Sequence, residues 1–223
     1  MPEAIRLNKS IVRYVMLGVL AITALSLWRL SSRKPEVAAS TPQIVKHAAN
    51  MTMHTFDPAT PPSDLPPLSG LETAVTDTSF ISDASVMGES ERVDATHANV
   101  TVTGVKVTLE LKIDIWVPVG ATQHVIEHEQ GHRQISEYYY RSADRVAEEI
   151  AAGYIGKQFS VSGADLDGEV RKELQKLGGD ITAEYNEKLN PNAVQQRYDD
   201  ITDHSRYDIE AGEAVSRVLK DVQ

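Results

Sequence analysis

The chain has no cysteine. No disulfide can hold its fold, and any metal site must be assembled from His, Asp or Glu. Basic residues are scarce where the body of the chain lies. Of 22 basic and 32 acidic residues, Arg6, Lys9, Arg13, Arg29, Arg33 and Lys34 precede Ser40, with only Glu3 and Glu36 beside them. From Ser40 onward 16 basic face 30 acidic groups, a net of −14 within a chain whose formal charge is −10. So acidic a body, with no basic stripe, is repelled by nucleic acid, and this excludes a nucleic-acid partner. No internal repeat is present. No apolar run reaches the roughly 20 residues that span a bilayer comfortably.

What is present begins with 223 residues, 41 % apolar and 24 % charged, the balance of one globular domain with appendages. Tyr14 to Trp28 is almost unbroken apolar sequence behind Arg6, Lys9 and Arg13, the pattern of an export signal. With Arg13 and Arg29 snorkelling, residues 1–30 are expected to be an uncleaved signal-anchor, with a cleaved signal peptide as the alternative. The body would then lie in the cell envelope, as a single-pass inner-membrane protein with its domain in the periplasm, or be secreted. Residues 31–78 hold Pro35, Pro42, Pro58, Pro61, Pro62, Pro66 and Pro67 among Ser, Thr and Ala, and read as an extended linker. The domain proper is expected over 79–223.

Within it, Val105, Val107, Leu109, Leu111, Ile113, Ile115 and Val117 alternate strictly with mostly polar residues, which predicts a long half-buried strand ending at Pro118. A helix is predicted from about Ala121 to Ala152 and a second from about Ala164 to Lys188, the latter open to a break at Gly178-Gly179. A polar, Tyr- and Asp-rich stretch follows, then a last helix over Ile209 to Val222. The expected fold class is α+β: a small antiparallel sheet packed on a long helix, with further helices completing the domain.

His128-Glu129-Gln130-Gly131-His132 matches H-E-x-x-H. Residues i and i+4 lie one turn apart on one helix face, so two imidazoles at that spacing can converge on one tetrahedral ion. Glu129 projects from the neighbouring angle and suits a general base acting on a zinc-activated water. Val125, His128, His132 and Ile135 share one stripe, so the histidines face inward; inward helix histidines also occur as hydrogen-bonded core residues. His124 to His128 matches the inverted pattern H-x-x-E-H. The downstream register is preferred because His132 continues the stripe and Gly131 leaves room for a substrate backbone. A catalytic zinc needs a third protein ligand. His47 and His54 fall in the linker, His97 precedes the strand, and His204 sits among acidic groups able to orient it. Tyr198, Arg206 and Tyr207 are candidates for stabilising an oxyanion, with none assigned.

These features resemble a bacterial family of predicted secreted zinc-dependent proteases, domain-of-unknown-function family 922. The matching residues are the strand Val105 to Pro118, the helix motif His128 to His132, and a distal segment with Tyr198-Asp199, Thr202 and His204; together they cover about residues 80 to 215. The resemblance implies that His204 is the third zinc ligand, beside His128 and His132. It departs at Ser205, where the family pattern has Gly. The expected function is a zinc metallopeptidase with Glu129 as general base, acting on a protein or peptide. The alternative is a non-catalytic envelope module whose fold zinc stabilises and whose acidic surface binds a partner. The membrane would be met through residues 14–30.

Overall fold

The computed structural model describes residues 40–68 and 72–220. Its organising element is β4, His97–Pro118, which pairs with every other strand of a five-stranded sheet. The alternation read from the sequence is realised there. Val105, Val107, Leu109, Leu111, Ile113, Ile115 and Val117 are buried, while Lys106, Glu110 and Lys112 are exposed. Full burial of each such aliphatic side chain contributes about 1.5–3 kcal/mol, so this single strand face anchors the fold.

The sheet is mixed, which corrects the expected antiparallel arrangement. β3, Val75–Arg92, runs antiparallel along one edge of β4, with a register shift between Met87 and Gly88. The other edge is shared in succession. β5, Gln158–Ser162, pairs antiparallel with His97–Thr101. β1, Gln43–Lys46, and β2, Asn50–Phe56, pair parallel with β4 further along. Alternation along a strand fixes which face is buried, but not the direction of its partners.

β1 and β2 lie inside the stretch expected as linker, and β3 begins before residue 79. Side chains tie the first two strands down. Lys46 Nζ reaches Asp144 Oδ1 at 3.0 Å, and His54 stacks on Trp116 at 4.0 Å and meets Asp114 Oδ1 at 3.1 Å. The apolar run 14–28, and with it the expected signal-anchor, lies outside the described residues. No helix among the described residues is long and apolar enough to cross a membrane, so none of them supplies the span expected of a single-pass inner-membrane protein.

Five helices complete the described domain: α1, Gln123–Arg141; α2, Ala143–Ala152; α3, Leu166–Lys188; α4, Asn192–Thr202; and α5, Ala211–Lys220. Thr122 caps α1, its side chain accepting a hydrogen bond from Val125 N. The expected helix 121–152 is thus divided at Ser142. Gly178-Gly179 does not break α3. A Cβ on Gly178 would stand 2.5 Å from the Ala84 carbonyl oxygen, so the glycine is where the helix backbone meets β3 closely. Tyr140, Ala143, Ala147, Ile150, Ile181 and Tyr185 cover the inner face of β4. Ile135, Val194, Tyr198, Ala214, Val215 and Val218 form a second core that joins α1, α4 and α5. α1 therefore lies between the sheet and the α4–α5 pair, and the motif histidines sit at that junction.

Candidate metal centre

Helical spacing puts His128 and His132 on the same side of α1, facing α4. Their Nε2 atoms are 3.2 Å apart. Asp199 Oδ1, from α4, lies 2.9 Å from His132 Nε2 and 3.4 Å from His128 Nε2. A tetrahedral zinc with ligand distances of 2.0–2.1 Å has ligands about 3.3 Å from one another. The two nitrogens and the carboxylate oxygen therefore already stand at the spacing of one tetrahedral face. His128, His132 and Asp199 form a group able to hold a metal ion, and Glu72, Asp199 and His204 form a second. Two further features fit a metal. Asp199 Oδ1 is sealed from solvent and makes no aligned hydrogen bond among the described residues, despite these close approaches. The donor set is N₂O, which suits zinc in a chain without thiolates.

The orientation of His132 is built by α4. Gln195 Nε2 donates to the His132 carbonyl at 3.1 Å and to Ser136 Oγ at 2.9 Å. That leaves Gln195 Oε1 to accept from His132 Nδ1 at 2.7 Å. With its Nδ1 proton held there, the ring turns Nε2 toward Asp199, the arrangement by which ligating histidines are usually fixed. Gln195 and Asp199 are four residues apart on one face of α4, so one helix turn holds both ends of the imidazole. His128 Nδ1 is buried with no hydrogen-bond partner among the described residues.

Tyr198 sets the distance between the helices. It is fully buried, its ring stacks on His128 with centroids 5.0 Å apart, and its hydroxyl donates to the His128 carbonyl at 3.2 Å. The space beside Gly131 belongs to this ring: a Cβ there would stand 2.1 Å from Tyr198 Oη. Gly131 thus admits Tyr198 and not a substrate backbone, contrary to the sequence-based expectation.

Glu129 is 4 % exposed. The Thr76 hydroxyl on β3 lies 2.6 Å from Glu129 Oε2 and 3.1 Å from the Glu129 carbonyl oxygen. Burial raises the Glu129 pKa, with His132, Thr76 and His128 opposing the rise. Burial also disfavours ionised Asp199, but the adjacent imidazoles prevail and hold its carboxyl well below the usual carboxylate range. For His132, burial favours the neutral ring, while Asp199, Glu129 and Gln195 outweigh it and raise the pKa.

A cleft of ≈ 320 Å³ opens onto the group, lined by Glu72, Thr76, Asp77, His128, Glu129, His132 and Asp199 among others. His204 is not in the first group. Its Nδ1 stands 3.9 Å from Asp199 Oδ1 and 3.2 Å from Glu72 Oε1. His124 is half-buried and its Nε2 meets the Tyr207 carbonyl oxygen at 3.1 Å. His97 pairs with Asp94. None of Tyr198, Arg206 and Tyr207 lines the cleft. Asp199 is the ligand candidate that the sequence reading passed over. Its signal was the i, i+4 pair Gln195 and Asp199 ahead of His204. A scan against models of protein families and searches of curated proteins and of solved structures found no match.

Proposed function

We propose that this protein is a zinc-dependent hydrolase of peptide bonds, with His128, His132 and Asp199 holding the ion and Glu129 as general base. The observation that carries the reading is the convergence of three donor atoms within 3.4 Å of one another in a cleft that also presents the buried Glu129 carboxyl. Zinc bound there supplies Lewis acidity, which acidifies a water and polarises a carbonyl. Glu129 contributes a base whose pKa burial has moved toward neutrality, the direction that favours proton transfer at working pH. Thr76 fixes the rotamer of that base, and Gln195 keeps the His132 Nε2 lone pair aimed at the site.

The peptide assignment is supported by β3. Among the described residues it pairs only with β4, so its other edge presents unpaired backbone groups. Val75 to Thr78 of that strand line the cleft. An extended peptide can add to such an edge by main-chain hydrogen bonds, which brings its carbonyls past the metal ligands.

The test uses the zinc-loaded full chain, a library of fluorogenic peptides, and Glu129→Gln. The variant is expected to retain zinc and lose about 10²–10⁴-fold in hydrolysis. Hydrolysis that survives in Glu129→Gln refutes the role of that residue. A zinc-loaded wild type that cleaves no peptide refutes the peptidase reading and favours a metal-stabilised binding module.

A further inference from the structure

We infer that the cleft takes a second divalent cation, held by Glu72, Asp199 and His204, so that Asp199 is shared between two ions. The inference rests on the reading of His128, His132 and Asp199 as the first site.

The donor atoms of Glu72, Asp199 and His204 all lie within 4.8 Å of one another, as do those of the first group, and Asp199 belongs to both. His204 Nδ1 is sealed from solvent although the residue as a whole is partly exposed. It approaches Glu72 Oε1 to 3.2 Å and Asp199 Oδ1 to 3.9 Å, yet makes no aligned hydrogen bond among the described residues. A simple imidazole–carboxylate pair points its N–H at the oxygen. Here nitrogen and oxygen meet side by side, as ligand atoms do around a common centre. Asp199 Oδ1 shows the same signature in the first group.

The lining is rich in possible oxygen ligands: Glu72, Asp77, Glu129 and Asp199 line the cleft, and among the described residues no lysine or arginine does. Each ion would have three protein ligands and keep an open position, the arrangement of catalytic rather than structural sites. Paired ions sharing a carboxylate are an established way to clamp the attacking and leaving groups of a hydrolysis.

The two positions differ in character. The first offers two imidazoles and one carboxylate with donors no more than 3.4 Å apart. The second offers one imidazole and two carboxylates, more widely spread. Nitrogen-rich, tightly spaced donors favour zinc, and oxygen-rich ones accept harder cations. The second ion is therefore the weaker and the more readily exchanged.

The experiment titrates the metal-free full chain with Zn²⁺ and with Co²⁺, counting ions per chain by elemental mass spectrometry after equilibrium dialysis. Wild type is expected to bind two ions in two phases. His204→Ala and Glu72→Gln should each bind one and keep the tight phase, and His132→Ala should lose the tight phase. Circular dichroism reports folding, and the near-isosteric Glu72→Gln decides the matter if His204→Ala does not fold. Wild type saturating at one ion, or two ions retained in both His204→Ala and Glu72→Gln, overturns the second site. One ion that both His132→Ala and His204→Ala abolish also overturns it and places His204 in the first site. Failure of the first-site reading looks different: His132→Ala would keep the wild-type tight phase.

Discussion

Replacing Gly131 with alanine tests how the metal ligands are spaced. In an exposed helix the change stabilises by about 1 kcal/mol, because glycine is the poorer helix former. Here the added methyl would stand 2.1 Å from Tyr198 Oη and 2.4 Å from Cζ. The hydroxyl is the far end of a side chain, but the ring behind it is fully buried and lies against both His128 and His132, so it has nowhere to turn. Overpacking of this kind costs about 1–3 kcal/mol, and losing the Tyr198 hydrogen bond to the His128 carbonyl adds about 1 kcal/mol. The net expectation is a loss of about 1–3 kcal/mol, or a Tm lower by roughly 2–4 °C for each kcal/mol in a domain of this size. Since Asp199 follows Tyr198 directly, pushing the ring away from α1 also moves a proposed ligand, and zinc affinity should fall with stability. Gly131→Ala, Tyr198→Phe and the double variant form a cycle, read by urea unfolding and by chelator competition for zinc. The double variant should recover part of the loss, because the hydroxyl contact is gone while the ring contact remains. A Gly131→Ala protein as stable as wild type, with unchanged zinc affinity, would refute the packing argument.

Gln195→Leu removes the acceptor for His132 Nδ1 and should weaken zinc affinity by about 10–100-fold, measured by the same competition, with no change in ion count at saturation; unchanged affinity would mean that Gln195 orients nothing. Asp114 tests ties both along β4 and from β4 to β2: Lys112 of its own strand foremost, against burial and with help from His54 of β2, holds its carboxyl below the ordinary value of 3.8. A depressed carboxylate stabilises the fold above the unfolded pKa, and that contribution is lost as pH falls through the folded one. Asp114→Asn should therefore show a slightly lower Tm at pH 7, and the difference should close below pH 3.8; a difference independent of pH would assign it to packing.

The long strand β4 was legible because its burial has a strict period of two, and the motif helix because its histidines continue an apolar stripe. The edge strands were not. Gln43–Lys46 and Asn50–Phe56 are short, partly exposed and surrounded by prolines, and they are strands because β4 offers them a free edge. Gly178-Gly179 reads as a break only when the Ala84 carbonyl that packs there is unseen. Gly131 likewise looks like open space until Tyr198 is placed against it. Asp199 stands in a segment with Asp200 and Asp203, and composition does not choose among them. The helical register it shares with Gln195 does, once α4 is known to face α1. Asp203, His204 and Ser205 all have positive φ, at 48°, 52° and 66°. In that left-handed turn His204 Nδ1 comes to stand 3.2 Å from Glu72 Oε1 and 3.9 Å from Asp199 Oδ1, a juxtaposition that residue spacing alone does not reveal.

The central claim is that one ion lies between α1 and α4. The most direct test is anomalous diffraction at the zinc edge from crystals of the zinc-loaded protein. The account predicts that the strongest peak lies about 2.0–2.1 Å from His128 Nε2, His132 Nε2 and Asp199 Oδ1. A strongest peak elsewhere, or crystals in which these three atoms hold no metal under saturating zinc, would contradict it.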